Sequence, residues 1–346
     1  MRYRDAGVDI IAASRAKSQI KELVSRTFNS RVLRGFGAFG GFYSLKGLPR
    51  DAVLVSSMDG VGTKLKIAFA TNRHESAAAD LVFHSVNDIA VHGARPLFFL
   101  DYLATGKIRS KVITDVVRGL SNACRQVGCA LIGGETAQMP GFYAADEYDL
   151  AGCIVGWVRQ SEILDGSRIR PGDVILGLPS SGLHTNGYSL ARKVLMEQAG
   201  LRLSQHVPEL GRRLEDELLA PHRCYAPLVL PLHQKGWLTG MVHVTGGGIT
   251  DNTPRILPDQ CTAEIHLGSW PVLPIFSLIA ELGKVRQAEM LRTFNMGLGM
   301  LLIVPEKHVE NVAGALKRKR EKYWVVGRIV RGKPDVKYLA ARAEHA

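Results

Sequence analysis

One stretch constrains this chain more than any other: residues 53–70, V-L-V-S-S-M-D-G-V-G-T-K-L-K-I-A-F-A. The apolar run Val53-Leu54-Val55 predicts a strand, and Leu65, Ala68 and Phe69 recur at helical spacing. Between them lies an acidic turn, Asp59-Gly60-Val61-Gly62, followed by Thr63-Lys64. The glycines let backbone approach a ligand closely. Asp59 offers a carboxylate for a divalent cation and Lys64 an ammonium for a phosphate, the two charges that phosphoryl transfer requires. An ordinary strand–turn–helix carrying a solvated Asp and Lys reads the same way, so the stretch needs company before it defines a site.

Composition narrows the setting. A chain of 346 residues allows two domains or one large one, and 46% hydrophobic with 22% charged residues describes a globular protein with ample core. No apolar run reaches the length of a membrane span. The N-terminus M-R-Y-R-D-A-G-V-D lacks the apolar centre of a signal peptide, which predicts cytoplasmic residence. Five scattered cysteines without a C-x-x-C pair argue against a disulfide framework and a structural zinc site. The net charge of +12 suggests a nucleic-acid partner, but its distribution weakens that reading. Residues 307–346 hold eleven Lys/Arg against four Asp/Glu, and the run Lys317–Arg320 closes a helical pattern, where cations suit the helix dipole. Without aromatic residues interleaved to stack bases, no nucleic-acid partner is expected, and phosphate-bearing small substrates fit the charge equally well.

Along the chain, residues 14–27 read as an amphipathic helix. The segment Gly35-Phe36-Gly37-Ala38-Phe39-Gly40-Gly41 matches G-x-G-x-x-G, yet it lacks the preceding strand and following helix of a dinucleotide fold. A glycine loop over phosphates and a plain flexible loop both remain open. Glu75 to Val91 predicts a helix stopped by Gly93, with His84, Asn87 and Asp88 on one face, where a carboxylate and an amide can hold a hydrated magnesium ion. Leu97 to Ala104 predicts a buried strand interrupted by Asp101, whose carboxylate should be paired or bind a metal. A helix over Val112 to Val127 and a strand over Cys129 to Ile132 follow, the latter ending in Gly133-Gly134-Glu135-Thr136. Tyr148 to Val158 is a further strand, and a domain boundary falls near 168, dividing the chain into residues 1–167 and 168–346.

In the second half, Val174 to Leu178 predicts a strand feeding the loop Pro179–Gly187, with a helix over Tyr188 to Ala199. Ser180, Ser181, His184 and Asn186 therefore precede a helix N-terminus, a natural anion site. The loop His243-Val244-Thr245-Gly246-Gly247-Gly248 also precedes a helix, and its glycines expose N–H groups able to cradle a phosphate. His184 and His243 are candidates for proton transfer, with structural hydrogen bonding as the alternative. Strand and helix alternate to about residue 330, and 333–346 read as a frayed tail.

Together these motifs resemble the phosphoribosylformylglycinamidine cyclo-ligases, the aminoimidazole ribonucleotide synthetases of purine biosynthesis, over nearly the whole chain. The resemblance rests on Tyr3–Asp9, the Gly35–Gly41 loop, Asp59–Lys64, Asp88-x4-Gly93-Ala94-x-Pro96, Asp101–Lys107, Gly133–Ala137, Ser180–Ser189 and His243–Gly248. It implies an α+β chain of two domains, the N-terminal domains pairing into a homodimer around a shared barrel. It also implies an active site in a cleft between the domains, using ATP and Mg2+ to close formylglycinamidine ribonucleotide into its imidazole. By that resemblance Asp59, Asp88 and Glu135 are the metal set, and Gly35, Gly37, Gly40, Gly41, Asp59, Gly60, Gly62, Thr63, Lys64, Asp88 and Asp101 attend the nucleotide. Ser180, Ser181, His184, Asn186, Thr245, Gly246, Gly247 and Gly248 hold the substrate, and Lys64, His184 and His243 act in the chemistry. Met58, where relatives carry a small polar residue, and Ile11, where an acidic one is common, depart from the pattern. Selenophosphate synthetases and thiamine-monophosphate kinases are rival readings, the former weakened because the first cysteine is Cys124.

Overall fold

The computed structural model describes residues 20–35 and 37–340. They form two compact units, one holding the chain up to Ile89 and again Ala94–Ser161, the other Ala90–Gly93 and the chain from Glu162. The α+β class read from the sequence is what the described residues adopt.

The first unit is a four-stranded sheet in the order β1-β4-β2-β3. Its strands are β1 (Ala52–Gly60), β2 (Arg95–Thr105), β3 (Ala130–Gln138) and β4 (Tyr148–Arg159). Pairing is antiparallel except between β2 and β3. A parallel pair needs a crossover, supplied by α4 (Ser110–Gln126). Three other helices precede it: α1 over residues 20–25, α2 (Leu65–Thr71) and α3 (Glu75–Ala90). Along β4 residues 148, 150, 152, 154, 156 and 158 are buried and their neighbours are not, so one sheet face is covered. Gly152 and Gly156 let that covering close in: a Cβ at Gly152 would strike Phe99 and Leu81, and one at Gly156 would strike Ile89. The other face carries exposed Leu54, Met58 and Tyr102.

The helix α3 occupies the predicted stretch. Besides its apolar stripe it buries Asp80, His84, Ser85 and Asn87, while Asp88 keeps partial solvent access. The strands also run further than the sequence suggested. Asp59 and Gly60 lie within β1, and Gly133–Gln138 continue β3, where turns were expected. Backbone pairing with β4 and β2 holds these glycine-rich segments extended despite their low strand propensity. The described residues of the G-x-G-x-x-G segment lie between Val32 and Tyr43, which bridge each other, and no helix directly follows them.

The second unit centres on a six-stranded sheet, β12-β9-β11-β5-β10-β8. These are β5 (Val174–Pro179), β8 (Gly240–His243), β9 (Cys261–Leu267), β10 (Leu298–Val304), β11 (Trp324–Arg331) and β12 (Val336–Ala340). Every residue of β10 is buried. Its Leu298, Leu301 and Ile303 enter one apolar cluster, while Met300, Leu302 and Val304 enter another with Leu228, Val229 and Leu232. A strand covered on both faces explains its continuous apolar run. The tail reading is corrected by β12, which pairs in parallel with β9 over Val336–Ala340. Tyr338 anchors it through a 2.7 Å hydrogen bond between its hydroxyl and Thr250 Oγ1. Residues 200–236, to which the sequence assigned no elements, contain a two-stranded ribbon, β6 (His206–Val207) with β7 (Arg212–Arg213). Two helices follow, α6 (Leu214–Leu218) and α7 (Ala226–Gln234).

Candidate functional site

The acidic stretch and α3 meet in the first unit. His84 Nε2 lies 2.7 Å from Asp59 Oδ2 and 3.4 Å from Asp88 Oδ2, and Ser57 Oγ donates to Asp88 Oδ2 at 3.4 Å. Alternation along β1 sends Ser57 and Asp59 to the same face, and the four-residue step on α3 stacks His84 under Asp88. Burial disfavours the charged imidazole, but hydrogen bonds and charge from Asp59 and Asp88 outweigh it and push His84 up to about 9. Burial likewise raises Asp59, yet the His84 hydrogen bond and charge and the Gly60 N–H hold its carboxyl below the usual value. Both carboxylates keep solvent access, at 44% and 27% of their side chains. Gly62 and Thr63 beside them are exposed, and Gly62 at φ +67° has open space where a side chain would stand. Two carboxylates and a hydroxyl form a hard-oxygen donor set that fits Mg2+.

Two sequence expectations are corrected here. Lys64 is not presented to a ligand: its side chain and that of Asp80 are both fully buried, with Nζ 2.5 Å from Asp80 Oδ2. The lysine follows Gly62 in a 3-10 turn that directs it inward, so its charge serves the interior of the unit. Nor does Glu135 join Asp59 and Asp88 within one chain. Asp59 aligns with Gly152, Gly152 with Asp101, and Asp101 with Gly134. Three strand spacings, about 14 Å, thus separate the β1 carboxylate from β3, and Glu135 falls one residue out of phase with that row.

Asp101 and Glu135 instead line a cavity of about 510 Å³ with Gly37, Ala38, Phe39, Gly133, Gly134 and Thr136, its floor formed by apolar residues including Ile113 and Leu131. Gly134 permits the approach of β3, because a Cβ there would strike the Asp101 carboxylate. Burial pushes the Asp101 carboxyl up to about 7. Gly35, Gly40 and Gly41 belong to the same exposed loop as Gly37 and do not line the cavity; Gly41 packs against Ile132.

In the second unit the two polar loops come together. A Cβ at Gly246 would lie 3.0 Å from Asn186 Oδ1. Ser180 Oγ donates to Asn295 Oδ1 at 2.9 Å, and Asn295 Nδ2 donates to Gly182 O at 2.9 Å. Asn252 organises the other loop, accepting from Thr245 Oγ1 and donating to the carbonyls of Gly246 and Gly248 at 3.2 and 2.7 Å. Gly247 and Gly248 need φ of +99° and +59°. The expected helices are short, α5 (Tyr188–Arg192) continuing as a π-helix over Lys193–Gln198, and α8 (Gly248–Asn252). His184 and His243 are buried, and between them stands His222, with its ring stacked on His184 at 4.0 Å. Ser180 and Ser181 also line a cavity of about 280 Å³ with Arg212 and Glu217, which pair at 2.8 Å. His222 and the Arg212–Glu217 pair escaped sequence reading because they lie in residues 200–236, where no strand, helix or polar loop was recognised.

This architecture defines a class. Residues 43–158 match the N-terminal domain of the AIR synthase related proteins and residues 170–338 match their C-terminal domain. Among solved structures, thiamine-monophosphate kinase from Stenotrophomonas maltophilia shares the fold at a TM-score of 0.67 and 19% identity, covering 97% of this chain and 98% of that one. The hydrogenase maturation protein HypE in complex with ATP does so at 0.65 and 19%, covering 95% and 91%. Curated relatives are much nearer in sequence. The phosphoribosylformylglycinamidine cyclo-ligase of Syntrophotalea carbinolica is 50% identical over 97% of both chains, and that of Geotalea daltonii is 51% identical over 95% of both. The chain belongs to the phosphoribosylformylglycinamidine cyclo-ligase family.

Proposed function

We propose that this protein catalyses the ATP-dependent ring closure of formylglycinamidine ribonucleotide to 5-aminoimidazole ribonucleotide, releasing ADP and phosphate, in purine biosynthesis. The observation that carries this reading is the near-full-length match at about half identity to cyclo-ligases. The chemistry follows from the substrate. An amide oxygen is a poor leaving group, so the formyl amide oxygen attacks the γ-phosphorus of ATP and ADP departs. The amidine nitrogen then attacks the activated carbon and loses a proton, and the C–O bond breaks to release phosphate.

Asp59 and Asp88 are assigned to hold Mg2+, which when bound neutralises charge on the nucleotide phosphates. Gly60, Gly62 and Thr63 supply exposed backbone beside those carboxylates for the nucleotide. The cavity bearing Asp101 and the glycine loop is assigned to the nucleotide as well, Glu135 with it. Lys64 is reassigned from contact with phosphate to positioning, through the buried pair that ties its turn to Asp80 on α3. Ser180, Ser181, Asn186 and Thr245–Gly248 hold the substrate, whose phosphate suits the N–H groups of the glycine loop. His184 and His243 handle protons during ring closure. The homodimer is inferred from the apolar open face of the first unit, where Leu54 and Met58 stand 54% and 70% exposed on an edge strand. The cytoplasm is assigned as its compartment, in keeping with free cysteines at all five positions.

The test is ADP release by the purified full-length chain with MgATP, with and without the amidine ribonucleotide. Release that requires this substrate and equals the imidazole formed is expected. Release independent of it, or with thiamine monophosphate in its place, overturns the assignment.

A further inference from the structure

The loop Pro179–Gly187 precedes a helix, which makes an anion site the expectation, but its first two serines direct their donors into the protein. The Ser180 N–H goes to Gly297 O at 2.9 Å and the Ser181 N–H to His184 Nε2 at 3.1 Å. Their hydroxyl protons are placed as well. A carbonyl oxygen only accepts, so Ser180 Oγ donates to Asn295 Oδ1 at 2.9 Å and Ser181 Oγ donates to the Pro221 carbonyl. The Asn295 amide cannot be turned round, because the Gly297 N–H donates to Oδ1 at 2.9 Å and Gly182 O accepts from Nδ2 at 2.9 Å. What the two serine hydroxyls keep for a ligand is lone pairs.

Both serines line the cavity of about 280 Å³, where Glu217 adds a third acceptor. Its side chain is 6% exposed and gives Oε2 to Arg212 Nε at 2.8 Å, while no hydrogen bond engages Oε1 among the described residues. That oxygen lies beside the serines: a Cβ on Gly182 would stand 3.7 Å from it. Arg212 balances the carboxylate, and its half-exposed guanidinium retains further N–H donors. Leu210, Leu273 and Pro274 complete the lining.

A phosphate brings acceptors, and here it would meet two serines with no donor to give and a carboxylate. A cationic amidine would meet the Arg212 charge. Neutral vicinal hydroxyls fit on every side: O–H donors for Glu217 and the serines, oxygen lone pairs for Arg212, and C–H surface for the leucines and proline. We propose that this pocket binds the ribose hydroxyls of the substrate, with Glu217 as the residue that selects them, and that the substrate phosphate lies elsewhere, on the glycine loop. The proposal rests on the ring-closure reading, which makes the substrate a ribonucleotide. A carboxylate accepting from a ribose hydroxyl is a recurring solution in nucleotide sites.

The experiment is calorimetric binding to the full-length chain without ATP, so that no turnover intervenes. The probes are formylglycinamidine ribonucleotide and its 2′,3′-dideoxy analogue. The wild type should bind the ribonucleotide at least about 10-fold more tightly, the low end of what a hydrogen bond to a charged group is worth. Glu217→Ala should remove most of that preference by weakening the ribonucleotide while the Kd of the analogue changes little. A variant that weakens both probes alike and keeps the preference would overturn the proposal, since that is how a merely structural role reads. Ser181→Ala should reduce the preference in the same sense and carries the test if Glu217→Ala does not fold. Inorganic phosphate, used as a competitor, should displace the ribonucleotide with the same constant from wild type and Glu217→Ala. Tighter phosphate binding to the variant would place the phosphate in this pocket and overturn the proposal, as would a wild type that binds both probes equally or neither. A wild type with the stated preference that releases no ADP from MgATP with the ribonucleotide would instead sink the ring-closure reading and leave the pocket assignment standing.

Discussion

Lys64 and Asp101 are both ionisable groups in apolar surroundings, and the fold handles them in opposite ways. Lys64 stands beside Asp80, both fully buried. Removing one partner strands the other charge, so Lys64→Ala should lower stability by about 3–5 kcal/mol in urea unfolding. The double replacement Lys64→Met with Asp80→Leu should recover most of that loss. A Lys64→Ala variant of unchanged stability but raised KM for ATP would return the lysine to the phosphates. Asp101 instead gives up its charge, its carboxyl raised to about 7 by burial. The sign follows: between the unfolded value near 4 and about 7 the native state binds the extra proton, so stability falls as pH rises through that window. Thermal melts at pH 4.5 and 8 should show Asp101→Asn gaining on the wild type at the higher pH. An equal gap at both values would deny the shift. At the metal pair, Asp88→Asn should raise the Mg2+ concentration for half-maximal turnover by about tenfold, equivalent to about 1.4 kcal/mol.

Elements carry the geometry, and the triple-glycine loop tests it. Gly248 holds φ at +59° with the Leu291 carbonyl where a side chain would go, whereas Gly246 has no such backbone demand and meets only the Asn186 side chain at 3.0 Å. Gly248→Ala should therefore cost more than the ~1–2 kcal/mol of a left-handed alanine, and Gly246→Ala much less, read by denaturant midpoints. The same contrast explains what the sequence could reveal. The strand–turn–helix at 53–70, the α3 stripe and the polar loops were legible because glycine, capping and periodicity signals are local. The reach of β1 and β3 was not, because pairing with neighbouring strands overrode the turn propensity of Asp59-Gly60 and Gly133-Gly134. The buried fate of Lys64 was equally hidden: its partner Asp80 is sixteen residues away, on another helix. The resemblance put Asp59, Asp88 and Glu135 in one set, but the distance of Glu135 from the other two depends on strand order, which no local pattern encodes.

At the scale of the whole molecule, the apolar open face of the first sheet predicts assembly. Replacing Leu54 and Met58 together by Glu should convert a dimer to a monomer by light scattering with each unit still folded by circular dichroism. A dimer that survives the change would place the interface elsewhere. The account as a whole holds that the formyl amide oxygen leaves as part of phosphate. Substrate labelled with 18O at that oxygen tests this most directly. The account predicts that the label appears in the inorganic phosphate released, one atom for each imidazole formed. Phosphate free of label, with the 18O recovered in water, would contradict it.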